Sequence, residues 1–209
     1  MWNFMNILYL ASKSTSRKKL LQRAGIHFEI IEQDANEQEC DWNLELQKVV
    51  ENIAIHKMNH VIMPQGQEGQ IAFVLTADTL SFDTHGTIRG KPTDLQDAIT
   101  MLKQACGPNN KCGTAFCLDK KIVKNGKWQT QKRITRYAHA TYDFNIPHDY
   151  IEKYIRDTGA MEAAGAIKIE DGSQFVKAIS GSYTAIVGLP MFELWQALHQ
   201  IGFFNKTST

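Results

Sequence analysis

Hydrophobic positions along the chain follow two patterns, short apolar runs and stripes of helical spacing. Apolar runs of strand length occur at 7–11, 28–31, 71–76 and 175–179. Stripes in which apolar residues recur every three or four positions occur at 20–24, 50–61, 95–105, 150–155 and 191–201. Short runs are typical of buried strands, and the stripes are typical of amphipathic helices. Because the two kinds of element alternate, the pattern predicts an α/β fold.

Two segments of alternating polarity, 115–123 and 133–144, flank the dipeptide Asn125-Gly126. Asn-Gly favours the tight turn of a β-hairpin because both residues tolerate positive φ. A hairpin in the middle of the chain favours a mixed sheet flanked by helices over a purely parallel sheet. The length of 209 residues fits a single domain over 1–209, with two lobes around a cleft and a short frayed tail at 205–209.

The overall composition excludes several classes of protein. Hydrophobic residues make up 43% of the chain and charged residues 22%, which is typical of a folded globular protein. The formal net charge is +1, so no global field directs the protein to nucleic acid or to a membrane, and we expect neither as a partner. The four cysteines form no close metal-binding pair, and the sequence shows neither a secretory signal nor a membrane-length apolar run. We therefore expect a cytoplasmic protein that binds any anion through a local cluster of charge.

The segment 12–19 is the first candidate for chemistry. Its hydroxyl groups and cations follow one another closely, at Ser12, Ser14, Thr15, Ser16, Arg17, Lys18 and Lys19. A strand, a polar loop and a helix start direct free backbone N–H groups to one point, which is a natural phosphate site. Cations in the first helical turn oppose the helix dipole, and a bound polyanion would relieve that penalty. The alternative is a capped helix with a solvated basic face.

Asp78 is the second candidate. It follows the apolar run 71–75, so we expect it at the carboxyl end of a strand, where ligands of α/β folds bind. A carboxylate there can hold Mg²⁺ or accept a proton from water. The alternative is a capping role in a turn, which Asp-Thr pairs often perform.

Three further residues are weaker candidates when each is taken alone. Lys91 lies in the turn Arg89-Gly90-Lys91-Pro92, where it could present a point charge to a phosphate or simply be at the surface. Lys57 falls on the apolar stripe of its helix, so it either extends to the surface or faces a functional cleft. Glu37 is an acidic residue in a predicted loop, where most carboxylates are solvated.

In their order and spacing, these segments together resemble the Maf-like nucleotide pyrophosphatases. The run 7–17, which includes Leu10-Ala11-Ser12, resembles the opening motif of that family. Ala77-Asp78-Thr79 and Gly90-Lys91-Pro92 match two later motifs, and 164–170 and 187–190 match two more. The resemblance covers nearly the whole chain, from 7 to about 201.

The resemblance implies hydrolysis of a nucleoside triphosphate between the α- and β-phosphates, with a divalent cation such as Mg²⁺ or Mn²⁺ as cofactor. It also implies a two-lobed fold related to the inosine triphosphate pyrophosphatases, and a possible homodimer. By motif, Asp78 is the base that activates water, and Glu37 helps Asp78 to hold the metal. The residues carried over as phosphate ligands are Ser12, Ser14, Arg17, Lys57 and Lys91. The residues at positions of base selection are Ser16, Thr79 and Glu170.

The chain departs from the family pattern at several positions. Thr15 replaces a proline, Ser16 replaces the first arginine of one subgroup, and Asn110 stands where the family has a histidine. Members that prefer dTTP and UTP carry glutamine at the position of Glu170, whereas Lys168-Ile169-Glu170 resembles the subgroup that acts on 7-methyl-GTP. A carboxylate can accept hydrogen bonds from a methylated guanine and offset its positive charge. The sequence therefore favours a 7-methyl-GTP-like substrate, although Thr79 is typical of the pyrimidine group.

Three alternatives remain at the level of the sequence. The first is a dTTP/UTP pyrophosphatase of the same family, and the second is a non-catalytic nucleotide-binding regulator of cell division, which the altered loop at Thr15 and Ser16 favours. A nucleic-acid-binding module is the third. The near-neutral charge argues against that class.

Overall fold

The computed structural model describes residues 6–82 and 87–205. Its strands are β1 (Leu8–Leu10), β2 (Phe28–Ile30), β3 (Ile71–Phe82), β4 (Ile88–Arg89), β5 (Gly107–Lys124), β6 (Lys127–Phe144) and β7 (Val176–Gly181). Its α-helices are α1 (Thr15–Arg23), α2 (Leu46–Asn59), α3 (Leu95–Ala105), α4 (Ile151–Thr158), α5 (Tyr183–Val187) and α6 (Met191–Ile201). Short 3-10 helices occur at Glu37–Glu39, His148–Tyr150, Ala160–Glu162, Ala164–Ala166 and Ser173–Phe175.

The seven strands form one mixed sheet in the order β2-β1-β3-β5-β6-β7, with β4 paired to β3. Strand β1 runs parallel to both β2 and β3. Strands β4 and β7 are antiparallel to β3 and β6 respectively. The predicted α/β class, with a mixed sheet flanked by helices, is therefore confirmed.

The chain divides into two compact units. The first contains residues 1–78, 115–137 and 189–209, and the second contains 79–114 and 138–188. In the first unit, β1 and β3 contribute fully buried side chains such as Leu8 and Leu75, and α2 contributes Ile53. The Thr76 hydroxyl donates to the Ala54 carbonyl at 2.7 Å, which fixes α2 against β3. This contact matters because α2 and β3 carry two of the candidate residues, Lys57 and Asp78.

The second unit has its own apolar core. Helices α3 and α4 pack with the ends of β5 and β6 around a cluster that includes Leu102, Tyr142, Phe144 and Tyr154. The amphipathic pattern at 95–105 is confirmed as α3, although its first residue, Leu95, is 52% exposed.

The predicted hairpin is present and is longer than the sequence indicated. Strands β5 and β6 each have 18 residues and are joined by Asn125 and Gly126. Both turn residues have positive φ, 54° and 70°, which is the geometry of a type I′ turn. The Glu68 carboxylate accepts from both turn N–H groups at 3.2 Å.

Two details of the predicted elements are wrong. Asp78 does not end its strand, because β3 continues to Phe82, where Ser81 and Phe82 pair with β4. It does lie three residues beyond Leu75, the last β3 residue that pairs with β1. Strand β1 has therefore ended before the position of Asp78. Val61 lies beyond the end of α2 and forms an isolated bridge with Gln33. The tail at 206–209 lies outside the described residues.

None of the helices in the described ranges has both the length and the apolar character that crossing a bilayer requires.

Candidate active site

The segment after β1 forms a capped helix start. Ser14 is the N-cap of α1, and its hydroxyl accepts from the Arg17 N–H at 3.4 Å. The Ser12 hydroxyl accepts from the Ser14 N–H at 3.3 Å and from the Arg17 guanidinium at 3.1 Å. Ser12, Ser14 and Arg17 therefore lie together at the amino end of α1, which carries no acidic residue in its first turn. This end of the helix is positive through both its dipole and its side chains.

Lys57 lies on the buried stripe of α2 and does not extend to solvent. The residue is 8% exposed, and its Nζ lies 2.7 Å from both Glu37 Oε1 and Asp78 Oδ1. Of the two alternatives for a lysine on an apolar stripe, the structure supports the one in which it faces other polar groups. The ammonium neutralises part of two carboxylates that would otherwise repel each other.

Asp78 is 6% exposed and is held from one side only. Its Oδ1 accepts from Lys57, whereas its Oδ2 is buried and has no hydrogen-bond partner among the described residues. A capping role is wrong, because Asp78 lies inside β3. A buried acceptor without a donor carries a desolvation penalty of about 1–3 kcal/mol. This oxygen is therefore suited to a water molecule, a substrate proton or a cation.

Arg17 completes the group. Burial lowers the pKa of its guanidinium, and the negative charges of Asp78 and Glu37 act in the opposite direction. We call Arg17, Glu37, Lys57 and Asp78 the charge cluster. Its two cations and two carboxylates are balanced, so a polyphosphate adds negative charge that a further cation would have to offset.

The charge cluster contains two of the oxygen ligands that a divalent metal needs. No set of three or more His, Cys, Asp and Glu side chains that could hold a metal occurs in the described part of the chain. However, Glu37 and Asp78 share one ammonium, so their nearest oxygens lie no farther apart than twice 2.7 Å. Mg²⁺ is commonly held by one or two carboxylates together with substrate phosphates. The two carboxylates and the free Asp78 Oδ2 fit that kind of site.

Of the other candidate residues, Ser16 is half-buried in the first turn of α1, whereas Lys91, Thr79 and Glu170 belong to the second unit. Lys91 is exposed and its Nζ lies 2.9 Å from Glu162 Oε2, a hydrogen bond that lowers the pKa of Glu162. Glu170 is half-buried and follows the 3-10 helix Ala164–Ala166. The sequence pattern did not indicate the pairing of Lys91 with Glu162, because 71 residues separate the two along the chain.

Thr79 has a defined hydroxyl direction. Its Oγ1 lies 2.8 Å from Thr114 Oγ1, and Thr114 donates its own proton to the Ala185 carbonyl at 2.6 Å. Thr114 therefore accepts from Thr79, and the Thr79 oxygen offers only lone pairs to any further group. Thr114 is fully buried, and nothing in the local sequence distinguished it from an ordinary strand residue.

Cys40 is a neighbour of the charge cluster that sequence reasoning missed. Burial raises the pKa of its thiol, and the charges of Glu37 and Asp78 raise it further. Its position directly after the 3-10 helix of Glu37 was the one available signal.

Asn110, at the position of the family histidine, is buried and donates to the carbonyls of Ala105 and Gly107. It thus closes the carboxyl end of α3.

Taken together, an α/β fold with a balanced cluster of carboxylates and cations beside a helix start defines the class of anion-binding α/β proteins. The model of the Maf-like protein family matches residues 7–201. A dTTP/UTP pyrophosphatase of Caldicellulosiruptor bescii is 31% identical over 201 residues, covering 95% of this chain and 96% of the relative. A dTTP/UTP pyrophosphatase of Acholeplasma laidlawii is 32% identical over 189 residues, covering 88% and 91%. This chain belongs to the Maf family.

Proposed function

We propose that this protein hydrolyses a nucleoside triphosphate between the α- and β-phosphates, releasing a nucleoside monophosphate and pyrophosphate. The observation that carries the proposal is Lys57, buried between Glu37 and Asp78 at 2.7 Å from each. Burial of the two opposite charges of Lys57 and Asp78 costs free energy, and buried ionisable groups that face one another are candidates for a functional site. The names of the Maf-family relatives, dTTP/UTP pyrophosphatase, support the same reaction class.

In the proposed reaction, Asp78 accepts a proton from the attacking water. Its Oδ2 is the acceptor available for that proton, because Oδ1 is occupied by Lys57. The water oxygen forms a bond to the α-phosphorus, the bond from that phosphorus to the bridging oxygen breaks, and pyrophosphate leaves with the electron pair. Arg17, Ser12 and the amino end of α1 stabilise negative charge on the phosphates. Lys57 orients Asp78 through the hydrogen bond to its Oδ1.

A divalent cation, Mg²⁺ or Mn²⁺, completes the proposal. Glu37 and Asp78 would hold it, and it would supply positive charge against the polyphosphate. Lys91 would add a further phosphate contact, because its exposed ammonium can exchange Glu162 for a more highly charged anion. Omission of the cation is then expected to abolish turnover.

The comparisons favour a pyrimidine substrate over 7-methyl-GTP. The relatives of Caldicellulosiruptor bescii and Acholeplasma laidlawii are named for dTTP and UTP. The acceptor-only oxygen of Thr79 favours uracil and thymine over cytosine, because the first two offer an N3–H donor where cytosine offers a lone pair. Guanine also offers an N–H donor, so the preference over 7-methyl-GTP rests on the names of the relatives. Ser16 would act with Thr79 in base selection.

Glu170 favours the second candidate, 7-methyl-GTP. A glutamate at this position places a negative charge where the dTTP/UTP subgroup carries a neutral glutamine, and a cationic base would gain from it. The two substrates therefore need a direct comparison.

A substrate panel tests both choices. We expect wild-type protein with Mg²⁺ or Mn²⁺ to release pyrophosphate from dTTP and UTP with a higher kcat/KM than from CTP, because Thr79 accepts a hydrogen bond from the N3–H of uracil or thymine. The names of the relatives lead us to expect a lower kcat/KM for GTP and 7-methyl-GTP as well. Pyrophosphate release is the measurement. A higher kcat/KM for 7-methyl-GTP would contradict the pyrimidine proposal and support 7-methyl-GTP as the substrate. Nucleotide binding without turnover would favour a non-catalytic regulator.

The exchange Glu170→Gln measures what the carboxylate contributes. We expect kcat/KM for dTTP to rise and that for 7-methyl-GTP to fall. The ratio of the two kcat/KM values should change about tenfold, which corresponds to about 1.4 kcal/mol. Glu152→Gln, on the first turn of α4, is the matched control and should leave the ratio unchanged. An unchanged ratio in Glu170→Gln would remove this residue from base selection.

A further inference from the structure

Charge is segregated along the first unit. Between Asp119 and Arg136 the chain has seven of its 23 lysines and arginines and one acidic residue, whereas between Glu29 and Glu51 it has eight of its 22 acidic residues and one lysine. The net charge of +1 hides this separation. A local basic region attracts polyanions through its own field, so the overall charge does not exclude such a partner.

Most of the cations in the β5–β6 hairpin are directed outwards. Lys121 and Arg133 bind the fully buried Asp119 and are internally compensated. Lys124, Lys127 and Lys132, by contrast, are exposed, as is Arg136 near the far end of the run. These four side chains form no ion pair with a carboxylate in the described part of the chain, so the basic segment presents positive charge to solvent.

Aromatic side chains lie next to these cations. On α6, Phe192 is 70% exposed and Trp195 is 36% exposed. The ring of Phe204 lies 4.6 Å from that of Trp195 and 4.4 Å from that of His199, measured between centroids. The rings of Trp195, His199 and Phe204 therefore form one contiguous aromatic group.

Hydrogen bonds join two of the cations to Gln200 on α6, the helix that carries Trp195 and His199. The Lys132 ammonium donates to the Gln200 carbonyl at 2.8 Å, and the Arg136 guanidinium donates to the Gln200 side chain at 3.1 Å. Lys120 lies over the Phe73 ring at 6.0 Å, and Phe73 contacts Phe203, the neighbour of Phe204. The basic–aromatic surface is defined as Lys120, Lys132, Arg136, Trp195, His199 and Phe204.

We propose that the basic–aromatic surface binds single-stranded nucleic acid. Cations that follow a phosphate backbone and aromatic rings on which bases stack are the two elements of sequence-tolerant single-strand binding. A membrane surface fits less well, because the apolar side of α6, with Leu194, Leu198 and Ile201, is buried and cannot enter a bilayer. A duplex fits less well, because its paired bases are not free to stack on Trp195.

Binding is measured by the fluorescence anisotropy of a labelled single-stranded oligouridine at several salt concentrations. We expect a Kd of about 1–100 μM at physiological salt and a steep weakening as salt is raised. An annealed duplex of the same length is the comparison and should bind more weakly. Absence of binding at low salt, or equal binding of the duplex, would overturn the proposal.

Substitutions assign the binding to the surface. The double variant Lys132→Gln/Arg136→Gln should lower the slope of log K against log salt by about 0.7 for each phosphate that the protein no longer neutralises. Trp195→Ala should raise Kd about tenfold, within the range found for loss of one stacked base, and Trp195→Phe should restore most of the affinity. Lys153→Gln, an exposed lysine of α4 in the second unit, is the control and should change neither quantity. Unchanged binding in the double variant and in Trp195→Ala would refute the assignment.

Two further measurements separate this proposal from hydrolysis and from other partners. The variants should release pyrophosphate from dTTP as wild type does, and excess UMP should not displace the oligouridine. Displacement by UMP would mean that the RNA occupies the nucleotide site, which contradicts the proposal. Binding to phosphatidylserine vesicles in place of RNA, or salt-sensitive self-association that accounts for the anisotropy, would also contradict it.

Discussion

Asp78→Asn is expected to lower kcat for pyrophosphate release by about 10³-fold, within the range that general bases contribute. The substitution keeps the shape of the side chain and removes the charge that accepts the proton at Oδ2. Lys57 retains Glu37 at 2.7 Å as its partner, so the variant should stay folded. Steady-state kinetics with dTTP and UTP provides the measurement, and circular dichroism with thermal unfolding checks the fold.

Asp157→Asn is the matched control for this experiment. Asp157 is a half-exposed carboxylate of α4 that pairs with Lys153 in the second unit, and its amide should leave kcat unchanged. If Asp78→Asn keeps more than a tenth of the wild-type kcat, Asp78 does not activate the water.

Asp119→Asn is expected to lower the free energy of unfolding by about 3 kcal/mol, the scale found when one partner of a buried ion pair is removed. Asp119 is fully buried and accepts from Arg133 at 2.7 and 2.9 Å and from Thr130 at 3.0 Å, with Lys121 at 3.2 Å. The amide leaves two cations without a counter-charge. Urea unfolding of variant and wild type measures the difference, with Asp157→Asn as the control, expected below about 1 kcal/mol.

The pH dependence of this difference has a defined sign. Burial raises the pKa of Asp119, but the hydrogen bond from Arg133 and the charge of Lys121 outweigh burial and lower it below the usual value of 3.8. The carboxylate therefore stabilises the fold above its unfolded pKa, and that contribution is lost as pH falls through the lower, folded pKa. The difference in the free energy of unfolding between wild type and Asp119→Asn should be largest at neutral pH and should shrink on acidification. A difference that grows on acidification would contradict this account.

The elements of the fold could be predicted because their patterns are local. The helix at 191–201 and the strand around 7–11 follow directly from the spacing of apolar residues, and Asn125-Gly126 fixed the hairpin turn. The length of β3 could not be predicted from the apolar run. Its last two residues, Ser81 and Phe82, pair with β4, which follows later in the sequence.

The charge cluster could be predicted only in part. Lys57 stood out as a lysine on an apolar stripe, Asp78 as a carboxylate after an apolar run and Glu37 as an acidic residue in a loop, and the resemblance of the surrounding motifs supplied their roles. The sequence did not indicate that one ammonium holds both carboxylates. The three residues come from a helix, a strand and a 3-10 helix, which only packing brings together. The hydroxyl direction at Thr79 depends likewise on Thr114 and Ala185, which are distant in sequence.

The distribution of charge shows what the overall composition could not predict. A net charge of +1 predicted neither nucleic acid nor a membrane as a partner, and it is correct as a sum. The sum carries no information on where the charges lie, and the segment from Asp119 to Arg136 concentrates seven cations around the turn of the β5–β6 hairpin. The contacts of Lys132 and Arg136 with Gln200 then bring that charge to exposed aromatic rings. Nucleic-acid binding is therefore a proposal that the structure adds and the sequence did not.

The measurement that tests the central claim most directly is hydrolysis of dTTP in ¹⁸O-labelled water, with products separated and analysed by mass spectrometry and ³¹P NMR. Attack of water at the α-phosphorus predicts pyrophosphate without label and thymidine monophosphate that carries the ¹⁸O. Label in the pyrophosphate, or release of orthophosphate and a nucleoside diphosphate, would contradict cleavage between the α- and β-phosphates at the charge cluster.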